Sequence, residues 1–81
     1  MNKGRYLRPT FTMLETLAGL NEMLENDEDT TIPDIARFLG IAYNTAYQRL
    51  RNYLVFNLVE IDEDGNFLIT DEGYKFLEEY G

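Results

Sequence analysis

Apolar residues recur at three-to-four spacing in the first third of the chain, at Leu14, Leu17, Leu20 or Asn21, and Leu24. That period lays them along one side of a helix, and Thr12-Met13-Leu14-Glu15 has the form of a capping box. A first helix, α1, is predicted over about 11 to 25. The run Glu25-Asn26-Asp27-Glu28-Asp29 is too charged to bury and reads as a solvated loop. Thr31-Ile32-Pro33-Asp34 then offers a cap, a first-turn proline and an acid at the third position. It opens a short α2 over about 32 to 39, with Ile32, Ile35, Ala36 and Leu39 on one side and Gly40 suited to the left-handed stop. A third helix, α3, runs from near Tyr43 to about 56, with Ala46, Leu50, Tyr53 and Leu54 inward, and Asn57 tolerates the positive φ that ends it.

Beyond Asn57 the period changes to two. Val59 and Ile61 alternate with Glu60 and Asp62, and Phe67 and Ile69 with Leu68 and Thr70. A three-residue Glu63-Asp64-Gly65 loop pairs Ile61 with Phe67 and Val59 with Ile69, which makes strands β1 and β2 of a hairpin with its apolar residues on one face. Thr70 caps a last helix, α4, from about Asp71 to Tyr80, with Tyr74, Leu77 and Tyr80 along one side. The fold class is mainly α with a small β-hairpin wing (α+β), in the order α1-α2-α3-β1-β2-α4. Residues 10–81 form one domain behind a flexible basic arm of residues 1–9.

Two helices joined by a tight Gly-containing turn, with a hairpin directly after, make a winged helix-turn-helix. The run Ile35-Ala36-Arg37-Phe38-Leu39-Gly40-Ile41-Ala42-Tyr43-Asn44-Thr45-Ala46, followed by Leu50, Tyr53, Asn57-Leu58-Val59 and Ile69-Thr70-Asp71-Glu72-Gly73, resembles small winged helix-turn-helix transcription regulators of bacteria, archaea and their viruses. The resemblance covers about residues 10 to 80. It implies sequence-specific binding of double-stranded DNA, with α3 in the major groove. Taking Leu50 as inward and about 100° per residue, Asn44, Thr45, Gln48 and Asn52 point outward and are the expected base readers. Asn and Gln bond adenine in two-point fashion, and Thr offers a hydroxyl or a methyl. Arg49 and Arg51 flank that stripe, where guanidinium groups suit phosphates. Arg37, Tyr47 and the arm residues Lys3, Arg5 and Arg8 complete the expected backbone contacts.

Charge alters the picture in two directions. The net charge of −8 opposes contact with an anion. Its distribution is uneven: residues 1–10 carry +3, 11–31 carry −6, 32–57 carry +2 and 58–81 carry −7. Six of the seven basic residues therefore lie in the arm and the central segment, as expected if one face meets DNA. The wing tip departs from the family pattern, because Asp62-Glu63-Asp64-Gly65-Asn66 would repel phosphate. The alternative reading is a winged helix used for protein–protein interaction, an adaptor or antagonist of transcription machinery, with the acidic face as its contact.

Other classes find little support. With no cysteine or histidine there are no disulfides, thiolate zinc sites, thiol nucleophiles or imidazole bases, and the scattered carboxylates assemble no catalytic set. An enzyme is not expected, nor a cofactor or metal. Glu60, Asp62, Asp64, Gly65 and Asp71 fall on calcium-loop positions, but Glu stands first, Asp stands twelfth, and the alternating apolar residues explain the same segment as a wing. No apolar run approaches the roughly 18 residues of a membrane span, and a cytoplasmic, intracellular setting is expected. Six Tyr and five Phe give the chain the apolar material to fold, and some apolar residues exceed what one small core needs. Among Phe11, Val55, Phe56, Tyr74, Phe76, Leu77 and Tyr80, a homodimer interface is expected through Phe11, Tyr74, Leu77 and Tyr80.

Overall fold

Thr10 stands in extended backbone (φ −130°, ψ 159°), and its hydroxyl accepts the Met13 N–H at 3.1 Å, so the first helix starts at Phe11. The computed structural model describes residues 10–81, and the expected arm with Lys3, Arg5 and Arg8 lies outside the described residues. The elements are α1 (Phe11–Glu25), α2 (Ile32–Leu39), α3 (Tyr43–Val55), β1 (Val59–Ile61), β2 (Phe67–Ile69) and α4 (Asp71–Tyr80). This is the predicted order. The cap of α1 is corrected: Thr12 lies inside the first turn, where its carbonyl accepts the Thr16 hydroxyl at 2.8 Å, because Thr10 two residues earlier already closes the end.

The second helix begins as its sequence signals. The Asp34 carboxylate accepts the Thr31 N–H at 3.2 Å and also the Thr31 hydroxyl. Gly40 takes the left-handed conformation (φ 71°) that ends it, and Asn57 does the same after α3 (φ 60°). Packing then follows from the apolar stripes: α1 lies against α2, β2 and α4, and α3 lies against α2 and β1. The core joins Leu17, Leu20 and Met23 of α1 with Ile35, Leu50, Tyr53, Leu58, Val59, Phe67, Ile69 and Phe76.

The hairpin has the expected antiparallel register, Val59 with Ile69 and Ile61 with Phe67. Its turn is held by the Asp62 side chain, whose Oδ1 accepts the N–H groups of Asp64 and Asn66, each at 2.9 Å, while Gly65 supplies a positive φ of 85°. The loop before α2 docks on the second strand. Buried Thr30 accepts the Phe67 N–H at 3.0 Å through its carbonyl and donates its hydroxyl to the Phe67 carbonyl at 2.8 Å, and its own N–H is taken by Asn66 Oδ1 at 2.8 Å. Every polar atom of Thr30 is thereby paired, as burial demands.

Several inward assignments are corrected. Leu54 is 37% exposed, since it lies a full residue step past the buried Tyr53 and at the edge of the α3 contact. Ile61 is 49% exposed because the two-stranded sheet reaches past the core toward its turn, leaving only Val59 of β1 covered. Phe76, expected as surplus, belongs to the core, and Phe56 and Leu77 pack against it. The inward line of α4 is Gly73 and Phe76, while Tyr74 and Tyr80 stay exposed. A Cβ on Gly73 would fall 2.2 Å from the Leu58 carbonyl oxygen, so only glycine lets α4 sit this close to the segment leaving α3.

Candidate nucleic-acid interface

The tight turn fixes how α3 is presented. The N–H groups of Gly40 and Ile41 return to the carbonyls of Arg37 and Ala36, at 3.3 and 3.0 Å, and α3 starts three residues after the glycine. Ala46, Leu50 and Tyr53 anchor its inner face. Geometry then sends the polar residues the other way. Asn44, Thr45, Gln48 and Asn52 are all exposed, and together with Arg49 they line one open depression along the helix. The four expected readers are thus neighbours on one surface.

The expected backbone contacts separate. Arg49 is only partly exposed, and its guanidinium donates to the Thr16 hydroxyl on α1 at 3.1 Å. Tyr53 is buried beside them: burial raises its phenol pKa, while the Thr16 hydroxyl and the Arg49 charge pull the other way. Arg51 is exposed and free of ion pairs among the described residues. Arg37 donates to Asp34 at 2.8 Å and lines a different cleft with Met23, Asp27, Glu28, Asp29 and Phe38. Carboxylates surround it there. Asp34 is held below the ordinary aspartate pKa, first by the hydrogen bond from Thr31 and then by Arg37.

Tyr43 opens α3. It stacks on Tyr47, with ring centroids 6.5 Å apart and planes within 8° of parallel, and both rings are exposed. Their four-residue spacing was the available signal.

At the wing, Glu60, Asp62, Glu63 and Asp64 remain exposed, so the tip is acidic as its sequence implies. Asp62 is occupied with the turn. Among the described residues, no group of three or more carboxylates is placed to hold a metal ion.

Of the residues expected at a dimer interface, Phe11 is 80% exposed, Tyr74 and Tyr80 about half exposed, and Leu77 packs against its own core. Tyr80 also meets Phe76, with ring centroids 5.1 Å apart. Among the described residues, no helix is long and apolar enough to cross a membrane.

No protein-family model and no curated protein matches the chain. A solved structure of the manganese regulator SloR is similar over 88% of this chain, with a TM-score of 0.70 and 21% sequence identity. The chain spans 32% of the length of that SloR chain. The element order, the tight turn between α2 and α3, the hairpin behind α3 and this likeness together define a winged helix-turn-helix fold.

Proposed function

We propose that the protein binds double-stranded DNA in a sequence-specific way as a transcriptional regulator, with α3 in the major groove and no chemistry of its own. The observation that carries this reading is the single depression formed by Asn44, Thr45, Gln48, Asn52 and Arg49. Amides and a hydroxyl grouped on the exposed side of the helix after the tight turn match the donors and acceptors of base edges. Arg51, beside them and without an ion pair among the described residues, is the cation best placed for a phosphate, and Lys3, Arg5 and Arg8 add charge ahead of α1. SloR is named a manganese regulator, and its likeness to this chain supports the regulatory part of the proposal. The acidic wing stays clear of the duplex in this reading, since its carboxylates repel phosphate. Two copies joined through Phe11 and Tyr74 would present two α3 helices to a pseudo-palindromic site in the cytoplasm.

The test is binding of the whole chain to random-sequence duplex DNA at low and at raised salt, with and without residues 1–9. Binding that weakens with salt and with loss of the arm is expected. Absence of binding at low salt would overturn the proposal and leave the protein-interaction reading, whose contact is the acidic face.

A further inference from the structure

Tyr43 and Tyr47 leave two aromatic faces in water on the helix proposed to read DNA, 52% and 43% exposed. They stack nearly parallel, and no hydrogen bond among the described residues holds either hydroxyl. Stacking restrains both rings before any partner arrives, which lowers the ordering cost of a contact. In sequence they bracket Asn44, and Tyr47 directly precedes Gln48, so the ring pair borders the amide depression at the N-terminal half of α3, although neither ring lines it.

On its described helices α2 and α3 this chain leaves only Arg51 uncommitted for phosphate. Its net charge is −8, Arg49 is tied to Thr16 and Arg37 is paired with Asp34. Discrimination must then come from base edges. The apolar group displayed in the major groove is the thymine methyl, and adenine, which Asn and Gln amides bond in two-point fashion, is paired with thymine. We infer that Tyr43 and Tyr47 are the thymine-reading part of α3, packing on 5-methyl groups beside adenines engaged by Asn44 and Gln48. The preferred target is accordingly an A·T-rich duplex read in the major groove. This rests on the DNA reading above, and it gives Tyr47 a base contact in place of the backbone contact expected from sequence.

The experiment selects a preferred duplex from a random pool with the whole chain and then remakes it with uracil replacing each thymine in turn. Each exchange removes one methyl and leaves the hydrogen-bonding groups intact. At the contacted positions the wild-type protein should lose about fourfold in affinity, the value of burying one CH₂ group. Tyr43→Phe and Tyr47→Phe should keep that loss, while the double Tyr43→Ala, Tyr47→Ala variant should bind thymine and uracil duplexes equally. Both rings are exposed, so unchanged helical circular dichroism should accompany the variants. Selection of a site without thymine, indifference of the wild type to uracil, or a uracil penalty that survives in the double variant would overturn the inference while leaving DNA binding intact. So would a loss in the Phe variants equal to that in the Ala variants, which would place the hydroxyls on phosphate. A wild-type chain that binds no duplex overturns both readings.

Discussion

The Arg49 guanidinium donates to the Thr16 hydroxyl at 3.1 Å, across the seam between α3 and α1. Thr16 is 1% exposed and donates its own hydroxyl to the Thr12 carbonyl, so the bond ties α3 to the first helix from a buried anchor. A guanidinium spent in this way positions α3. Arg49→Ala and Thr16→Val should each lower stability by about 1 kcal/mol, and the double variant should cost little more than the worse single one, as measured by urea unfolding. Neither should change the salt dependence of DNA binding, whereas a phosphate contact by Arg49 would lower that slope by about 1 in the alanine variant.

Arg51 and Gln48 stand on the same helix but should behave differently. Arg51→Ala is expected to weaken binding to all duplexes alike and to reduce the salt slope by about 1. Gln48→Ala should instead relax preference at a particular base pair by about 1–3 kcal/mol, read from competition between single-substitution duplexes. Binding left intact by both changes would remove α3 as the reader.

Gly73 offers a test of close packing. In a free helix alanine is favoured over glycine by about 1 kcal/mol. Here the new Cβ would meet the Leu58 carbonyl oxygen at 2.2 Å and the Ile69 Cγ2 at 2.6 Å, and backbone cannot swing aside as a side chain can. The clash outweighs propensity. Gly73→Ala should destabilise by about 2 kcal/mol and lower Tm by about 10 °C; an unchanged Tm would show that α4 shifts freely.

Thr30 joins the loop before α2 to the wing through three hydrogen bonds with Phe67 and Asn66. Thr30→Val keeps the shape and removes the hydroxyl bond to the Phe67 carbonyl, at an expected cost of about 1–2 kcal/mol. Asn66→Ala should leave the Thr30 N–H without its acceptor and speed hydrogen exchange at that amide. Unaltered exchange there would mean that the wing and the loop are not coupled.

Asp34 sets a pH dependence. Its folded pKa lies below the ordinary value of 3.8, chiefly through the Thr31 hydrogen bond and then through Arg37. The unfolded state therefore takes up the proton first as pH falls. The contribution to stability is full above the unfolded value and is lost as pH drops through the folded one. Melting curves of wild type and Asp34→Asn should differ at neutral pH and converge in strong acid. A constant difference would assign the effect to something other than the carboxylate charge.

The sequence by itself determined the elements, because their causes are local: periodicity of apolar residues, the Thr31 and Thr70 caps, the left-handed stops at Gly40 and Asn57, and the Glu63-Asp64-Gly65 loop with its register. It also placed Asn44, Thr45, Gln48 and Asn52 on one side of α3, since 100° per residue needs no tertiary information once Leu50 is inward. Only the tertiary structure decided which apolar residues were truly covered. Phe76 entered the core while Leu54 and Ile61 stayed out, because burial depends on what another element brings to that spot. Only the fold, likewise, tied Arg49 to Thr16, 33 residues away, and Thr30 to Phe67, 37 residues away. Charge and hydrogen-bonding capacity are written in the sequence, but whether they are spent inside the molecule or left for a partner is fixed by packing.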